Sequence, residues 1–478
     1  MSTDLSLDRP GSARHGDPRF GPALMIAAAM SLTYLLGALV AWVKPFSASH
    51  GMQLPGMTRV LILSVAASWV VVLVIWVAGL RPASDPASTG RLKHALQAVS
   101  AAVLILPFTV EDLHRLTQHP GTALICLPST GFALWIAYQV QRYHRIPVWL
   151  LLALFGWGAL VAGGFGGAMN FWFQELAPVY LQDAPTLQDV WDRIYTGLAL
   201  NASIFEELGK AAGLAMAYFL FRRQFSGIVS GLVLGASVGL GFNFIETVLY
   251  MNWTDWGTAG FQYWMRQSVG LMGGHVAFSA IAGAGFGVAR QIAEPLPRRI
   301  AVGSGLLAAV GGHFFNNIVL LAVRHTEPDW LPSNGVVNVL IAQPLLLLAL
   351  QGPFVVIYLL MLRGGLRTQV LGLTAEMTAE AQTGRGAITA PEIDVLMSPS
   401  RRLWFTTTVL RRHGPAAYRA LNRLHVAQFD LAMQRWHASR KDPGDQDASV
   451  EALRDQVLRL KGRQAVVLTE AREAEVPA

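Results

Sequence analysis

Long apolar runs, broken by short charged or glycine-rich connections, dominate the first three quarters of this 478-residue chain. A membrane-crossing helix needs about 20 apolar residues. Ten runs meet or approach that length: 21–43, 59–80, 94–110, 122–140, 147–169, 196–221, 226–250, 267–290, 299–323 and 337–362. The third is short, and Glu111 and Asp112 follow it at once. The first is too long for a signal-peptide core and has no small-residue cleavage site, so it reads as a retained helix. From Arg363 onward, continuous apolarity gives way to helical periodicity. Tyr418, Leu421, Phe429, Ala432 and Trp436 recur at helical spacing, as do Leu453, Val457 and Leu460. Thr389 to Glu392, T-A-P-E, reads as a capping box with proline in the first turn. The pattern predicts an all-α polytopic membrane bundle of about ten spans. Residues 1–90 add two extra spans, 91–365 form the core, and 366–478 form a helical tail.

Composition excludes a large soluble protein. Hydrophobic residues make up 53% of the chain and charged residues 14%, where soluble domains carry roughly 25% charged residues. The net charge of +7 does not point to nucleic acid, because Lys and Arg fall in short clusters between apolar runs. That distribution orients a multi-pass protein. With both termini cytoplasmic, inside connections hold roughly twice as many Lys and Arg as outside ones, which places the chain in the cell membrane in that sense. The connection near 170–195 is then outside and acidic, with Glu175, Asp183, Asp189 and Asp192. Trp253, Trp256, Phe261, Tyr263 and Trp264 fit an interfacial belt. The single cysteine, Cys126, excludes an intrachain disulfide and a multi-thiolate zinc site.

Ionisable side chains inside spans are costly, roughly 2.5–3.5 kcal/mol each on insertion scales, and face the bundle interior. Four consecutive spans carry them: Glu206, Glu207 and Lys210 in the sixth, Glu246 in the seventh, His275 in the eighth, and His313 with Asn317 in the ninth. Although the spans alternate in direction, every one of these groups falls in the same half of the membrane, the outer half in this orientation. Glu206 and Lys210 share a helix face, while Glu207 points about 100° away. One carboxylate is thus free for chemistry while the other is held. His313 shares a face with Asn317, and His275 with Ser279. Gly231, Gly235, Gly239 and Gly241 fit close helix approach.

The ordered set E-E-x-x-K (Glu206, Glu207, Lys210), F-x-x-x-E (Phe242, Glu246), H-x-x-x-S-A (His275, Ser279, Ala280) and H-x-x-x-N (His313, Asn317) resembles the PrsW family of intramembrane proteases, relatives of CAAX prenyl endopeptidases and bacteriocin-processing enzymes. The resemblance covers roughly residues 90–365. The wider CAAX group shows E-E-x-x-x-R and F-x-x-x-H, so Lys210 and Glu246 favour the PrsW branch and argue against a prenylated cysteine substrate. The resemblance implies a hydrolase that cuts a membrane-anchored protein, such as an anti-sigma factor, within the bilayer.

Peptide hydrolysis needs an activated water, an oxyanion stabiliser and a proton donor for the leaving amine. In a zinc reading, Glu246, His275 and His313 form a three-ligand site with an open position and Glu206 is the general base. In a metal-free reading, Glu206 and a histidine activate water while His313 and Asn317 hold the oxyanion. The family's metalloprotease classification tilts the expectation towards Zn2+. Two other classes stay open. A cation- or proton-coupled transporter would also place Glu, His and Asn at mid-depth, but there is no internal repeat and the polar groups crowd one side. A noncatalytic binding or scaffold member would keep the same helices without needing the intact Glu–Glu–Glu–His–His set.

Overall fold

The computed structural model describes residues 18–43, 56–79, 86–180, 186–253, 258–325, 335–439 and 447–474. Trp256, Asp183 and the first seventeen residues lie outside them. All described elements are helical. The membrane part comprises α1 (Phe20–Val43), α2 (Gly56–Gly79), α3 (Pro86–Ile105), α4 (Thr109–Gln118), α5 (Pro120–Gln139), α6 (Val148–Gly156), α7 (Gly163–Tyr180), α8 (Leu187–Leu220), α9 (Ile228–Met251), α10 (Ala259–Trp264), α11 (Gly274–Gln291), α12 (Pro295–His325) and the first part of α13 (Gln343–Gln382). Among the described residues, nine helical segments are long and apolar enough to cross a membrane, so the chain is a multi-pass membrane protein.

The difference from ten lies in α8. It is one continuous helix over the expected sixth span, but Asp189, Asp192, Arg193, Glu206, Glu207 and Lys210 make it too polar to count by composition. The third run is longer than expected. With α4 it forms a 30-residue crossing, Thr89–Gln118. Glu111 and Asp112 do not end it, because Arg115 one turn later pairs with both, reaching Asp112 Oδ1 at 2.6 Å. Pairing within the helix lowers the cost of all three charges.

α9 is the centre of the membrane part and packs on α5, α6 and α11. Its glycines set the α9–α11 spacing. A Cβ on Gly239 would lie 2.5 Å from the His275 carbonyl oxygen, and one on Gly235 would overlap that of Ser279. Only hydrogen at these positions lets the two backbones approach so closely. A π-helical turn over Trp157–Ala162 leads from α6 into α7.

Residues Phe20–Phe219 and Gln224–Thr368 pack as one compact unit, which includes α1 and α2. Gln369–Ala478 belong to a second unit. It contains α14 (Ala390–Met397), α15 (Pro399–Ala438) and α16 (Asp447–Ala474). Thr389 caps α14 with Glu392, whose Oε2 accepts from the Thr389 backbone N–H at 2.8 Å. Leu421, Phe429, Ala432, Trp436 and Val457 form buried contacts in this unit. Arg454 Nε and Nη2 donate to Glu380 at 2.6 and 2.8 Å, and Arg435 Nη1 donates at 3.0 Å.

Candidate active site

The four charge-bearing helices converge. Lys210 is almost wholly buried, and its ammonium donates to Glu207 Oε1 at 2.7 Å and to His275 Nδ1 at 2.9 Å. It lies 3.9 Å from Glu206 Oε2. Phe242 covers it from above, with the ammonium 3.7 Å from the ring centroid. Lysine therefore holds Glu207, three residues back, more tightly than Glu206, four residues back. Of the two adjacent carboxylates, Glu207 is the one fixed in place.

His313 lies between them. Its Nδ1 is 3.0 Å from Glu207 Oε1 and its Nε2 is 3.8 Å from Glu206 Oε2. An ionised carboxylate only accepts, so Nδ1 carries the proton and Nε2 keeps its lone pair. His275 is fixed by the same logic. Lysine only donates, so Nδ1 is the acceptor, and Nε2–H donates to Glu246 Oε2 at 2.6 Å. Glu246 is clamped in turn by Arg266 Nη1 at 2.7 Å. Each histidine is thus backed by a carboxylate, and each carboxylate by a cation. The two imidazole rings meet edge-on, their centroids 4.9 Å apart.

Glu206 is held differently. Asn170 of α7 donates to its Oε1 at 2.9 Å, and Asn201 donates to Asn170 Oδ1, also at 2.9 Å. Oε2 is buried and makes no hydrogen bond among the described residues. Gly166 makes room for the side chain, since a Cβ there would lie 2.8 Å from Glu206 Cγ. Glu206, Glu246, His275, His313 and Asn317 all line a cavity of about 1750 Å³. Trp253, Phe261 and Trp264 of the expected aromatic belt line it too. Glu207 and Lys210 stand behind it.

A carboxamide chain borders the same cavity. Gln351 Nε2 donates to Asn316 Oδ1 at 3.1 Å, and Asn316 Nδ2 donates to Asn317 Oδ1 at 3.2 Å. Gly274 opens α11 at φ +45°, where a Cβ would be strained and only 3.2 Å from Gln351 Nε2. Ser279 is placed elsewhere: it is buried on the α9 seam, and its hydroxyl has no hydrogen-bond partner among the described residues.

One carboxylate oxygen and two imidazole nitrogens, from Glu206, His275 and His313, lie within 4.8 Å of one another. Two histidines and one glutamate with an open position are a donor set of catalytic zinc sites. Glu206 Oε2, which accepts no hydrogen bond among the described residues, and the lone pair on His313 Nε2 fit a divalent cation, whereas the Nδ1 lone pair of His275 is taken by the Lys210 ammonium and would ligate only in exchange for that bond. Glu246 reaches this cluster only through His275. Asn170, Arg266, Asn316 and Gln351 carried no sequence motif. The glycine run 163–167 was the available signal for Asn170, because it marks a close helix approach just before it.

No curated protein and no solved structure matches this chain. Residues 146–349 match the family model described as PrsW family intramembrane metalloprotease. That segment holds every side chain of the site except Gln351, and over it the chain is similar to the PrsW-family intramembrane metalloproteases, hydrolases of the membrane.

Proposed function

We propose that the chain cuts a membrane-anchored protein at the cavity lined by Glu206, His275 and His313. The observation that carries this reading is the approach of those three donors at a cavity large enough for an unwound peptide segment. The resemblance to PrsW points to a regulator of the anti-sigma type as substrate. The site lies towards the bundle end that carries the α7–α8, α9–α10 and α12–α13 connections, and the Lys and Arg distribution makes that end the outer face.

Glu206, His313 and His275 would hold the cation, with zinc the expected one, and His275 would do so through Nδ1 in place of its hydrogen bond from Lys210. This moves Glu206 from base to ligand and Glu246 from ligand to the support of His275, since Glu246 is already engaged by Arg266 and His275 while Glu206 Oε2 accepts no hydrogen bond among the described residues. When bound, a divalent cation polarises a carbonyl and makes nearby water more acidic. The rest is done by side chains. Glu207 and Glu246 fix the tautomer and orientation of His313 and His275, the usual task of carboxylates behind ligating histidines. Lys210 and Arg266 hold those carboxylates. Asn170 fixes the rotation of Glu206. Asn317, last in the carboxamide chain, offers its amide N–H groups to the oxyanion of a peptide carbonyl.

The test is a comparison of protein N-termini in membranes of cells making the parent or the His313→Ala variant. The proposal expects new termini inside or beside apolar spans in the parent alone. Identical termini in both would overturn it.

A further inference from the structure

Outside the site, the strongest unexplained surface is the first half of α15. Leu403 is 68% exposed and Trp404 71% exposed, and Phe405 and Leu410 are exposed beside them. Thr406 and Val409, on the strip of the helix between Phe405 and Leu410, are buried and anchor it to its neighbours. The exposed arc is therefore held in place by packing. Arg401, Arg411 and Arg412 rim it and are exposed. From Val395 to Phe429 the sequence contains six arginines and neither aspartate nor glutamate.

We propose that this face docks on the surface of an anionic bilayer, with Leu403 and Trp404 at the headgroup–acyl boundary and the arginines against lipid phosphates. Three observations select a bilayer as occupant. The chain is anchored in one, and it reaches Arg401 after only the remainder of α13 and the short α14. Apart from Asp394 of α14, 3.9 Å from Arg401, the charge is of one sign, complementary to anionic headgroups. The pairing of an exposed tryptophan and leucine with flanking arginines matches helices that lie in the membrane interface. Nucleic acid would use the arginines but leave Leu403 and Leu410 unexplained.

The experiment uses the full chain with Cys126→Ala and Leu403→Cys, spin-labelled and reconstituted in nanodiscs. In phosphatidylcholine discs the label should remain accessible to a water-soluble nickel relaxant. In discs containing phosphatidylglycerol, nickel access should fall and oxygen access rise. Each arginine removed should weaken docking about fivefold, so Arg401→Gln, Arg411→Gln and Arg412→Gln together weaken it on the order of a hundredfold. Unlabelled parent provides a check independent of folding of the variants: hydrogen exchange over 400–412 should slow only in phosphatidylglycerol discs. A label that stays aqueous in both discs would overturn the proposal, as would shielding equal in both. Shielding by a DNA duplex without shielding by lipid would reassign the face to nucleic acid.

Discussion

Glu207 Oε1 lies 3.0 Å from His313 Nδ1 and 2.7 Å from Lys210 Nζ, so one buried oxygen serves an imidazole and an ammonium together. Removing the ammonium leaves the buried carboxylate with the His313 imidazole and no cation to balance its charge. Lys210→Met should cost about 3–5 kcal/mol of stability, read as a lower unfolding midpoint in detergent. Adding Glu207→Gln should recover part of that loss, because no uncompensated charge remains. Additive effects would show that the pair is not coupled.

Arg266 is placed to act through Glu246 on His275. Arg266 lines the cavity, but its guanidinium is engaged by Glu246 and Gln262, so Arg266→Gln should lower kcat about 10–100-fold with KM little changed. A large rise in KM with unchanged kcat would instead make Arg266 a substrate contact.

Gly235 and Gly303 make opposite predictions. A Cβ at Gly235 meets the backbone of α11, while one at Gly303 meets nothing within 4 Å. Gly235→Val should destabilise the fold and abolish cleavage together, since it drives α11 and His275 away from α9. Gly303→Ala should be neutral or stabilise by up to about 1 kcal/mol. Thermal unfolding of both variants in detergent checks the contrast.

Much of this was legible in the sequence, for identifiable reasons. Charges in apolar spans are too costly to scatter, so Glu206, Glu207, Lys210, Glu246, His275 and His313 announced themselves. The spacing of Gly235 and Gly239 marked a close helix approach, and only the structure makes α11 its partner. What sequence could not give was which carboxylate meets which partner. Glu206 and Glu207 both lie within reach of Lys210 along the helix, and only the placement of α12 and α7 assigns Glu207 to His313 and Glu206 to Asn170. Arg266 read as a loop charge because its partner, Glu246, lies on another helix. The third span looked short because Glu111 and Asp112 were counted without Arg115.

The tail carries its own pH dependence. Burial, reinforced by the nearby Arg402 guanidinium and opposed by Glu392, pushes the His425 imidazole down from 6.5 to about 4. Its folded pKa is thus below its unfolded one, so the unfolded tail binds more protons between these values. The contribution is full above pH 6.5 and is lost as pH falls towards 4. Hydrogen exchange in α15 should therefore accelerate between pH 6.5 and 4, beyond the intrinsic pH effect, and His425→Leu should flatten that dependence. An unchanged profile in His425→Leu would assign the effect to other groups.

The central claim is that Glu206, with His275 and His313, forms the reactive centre. It is tested most directly by Glu206→Gln, which keeps the size of the side chain and removes its charge. Parent and variant are reconstituted in proteoliposomes with a single-span substrate identified from the N-terminal comparison, and zinc is measured in the same samples. Cleavage by the variant should fall by a factor of at least about 10², and its bound zinc should fall below the one equivalent expected for the parent. Glu246→Gln should keep that zinc. Loss of cleavage with zinc fully retained in Glu206→Gln would return Glu206 to the role of base and Glu246 to that of ligand. Cleavage at the parental rate by Glu206→Gln would contradict the account.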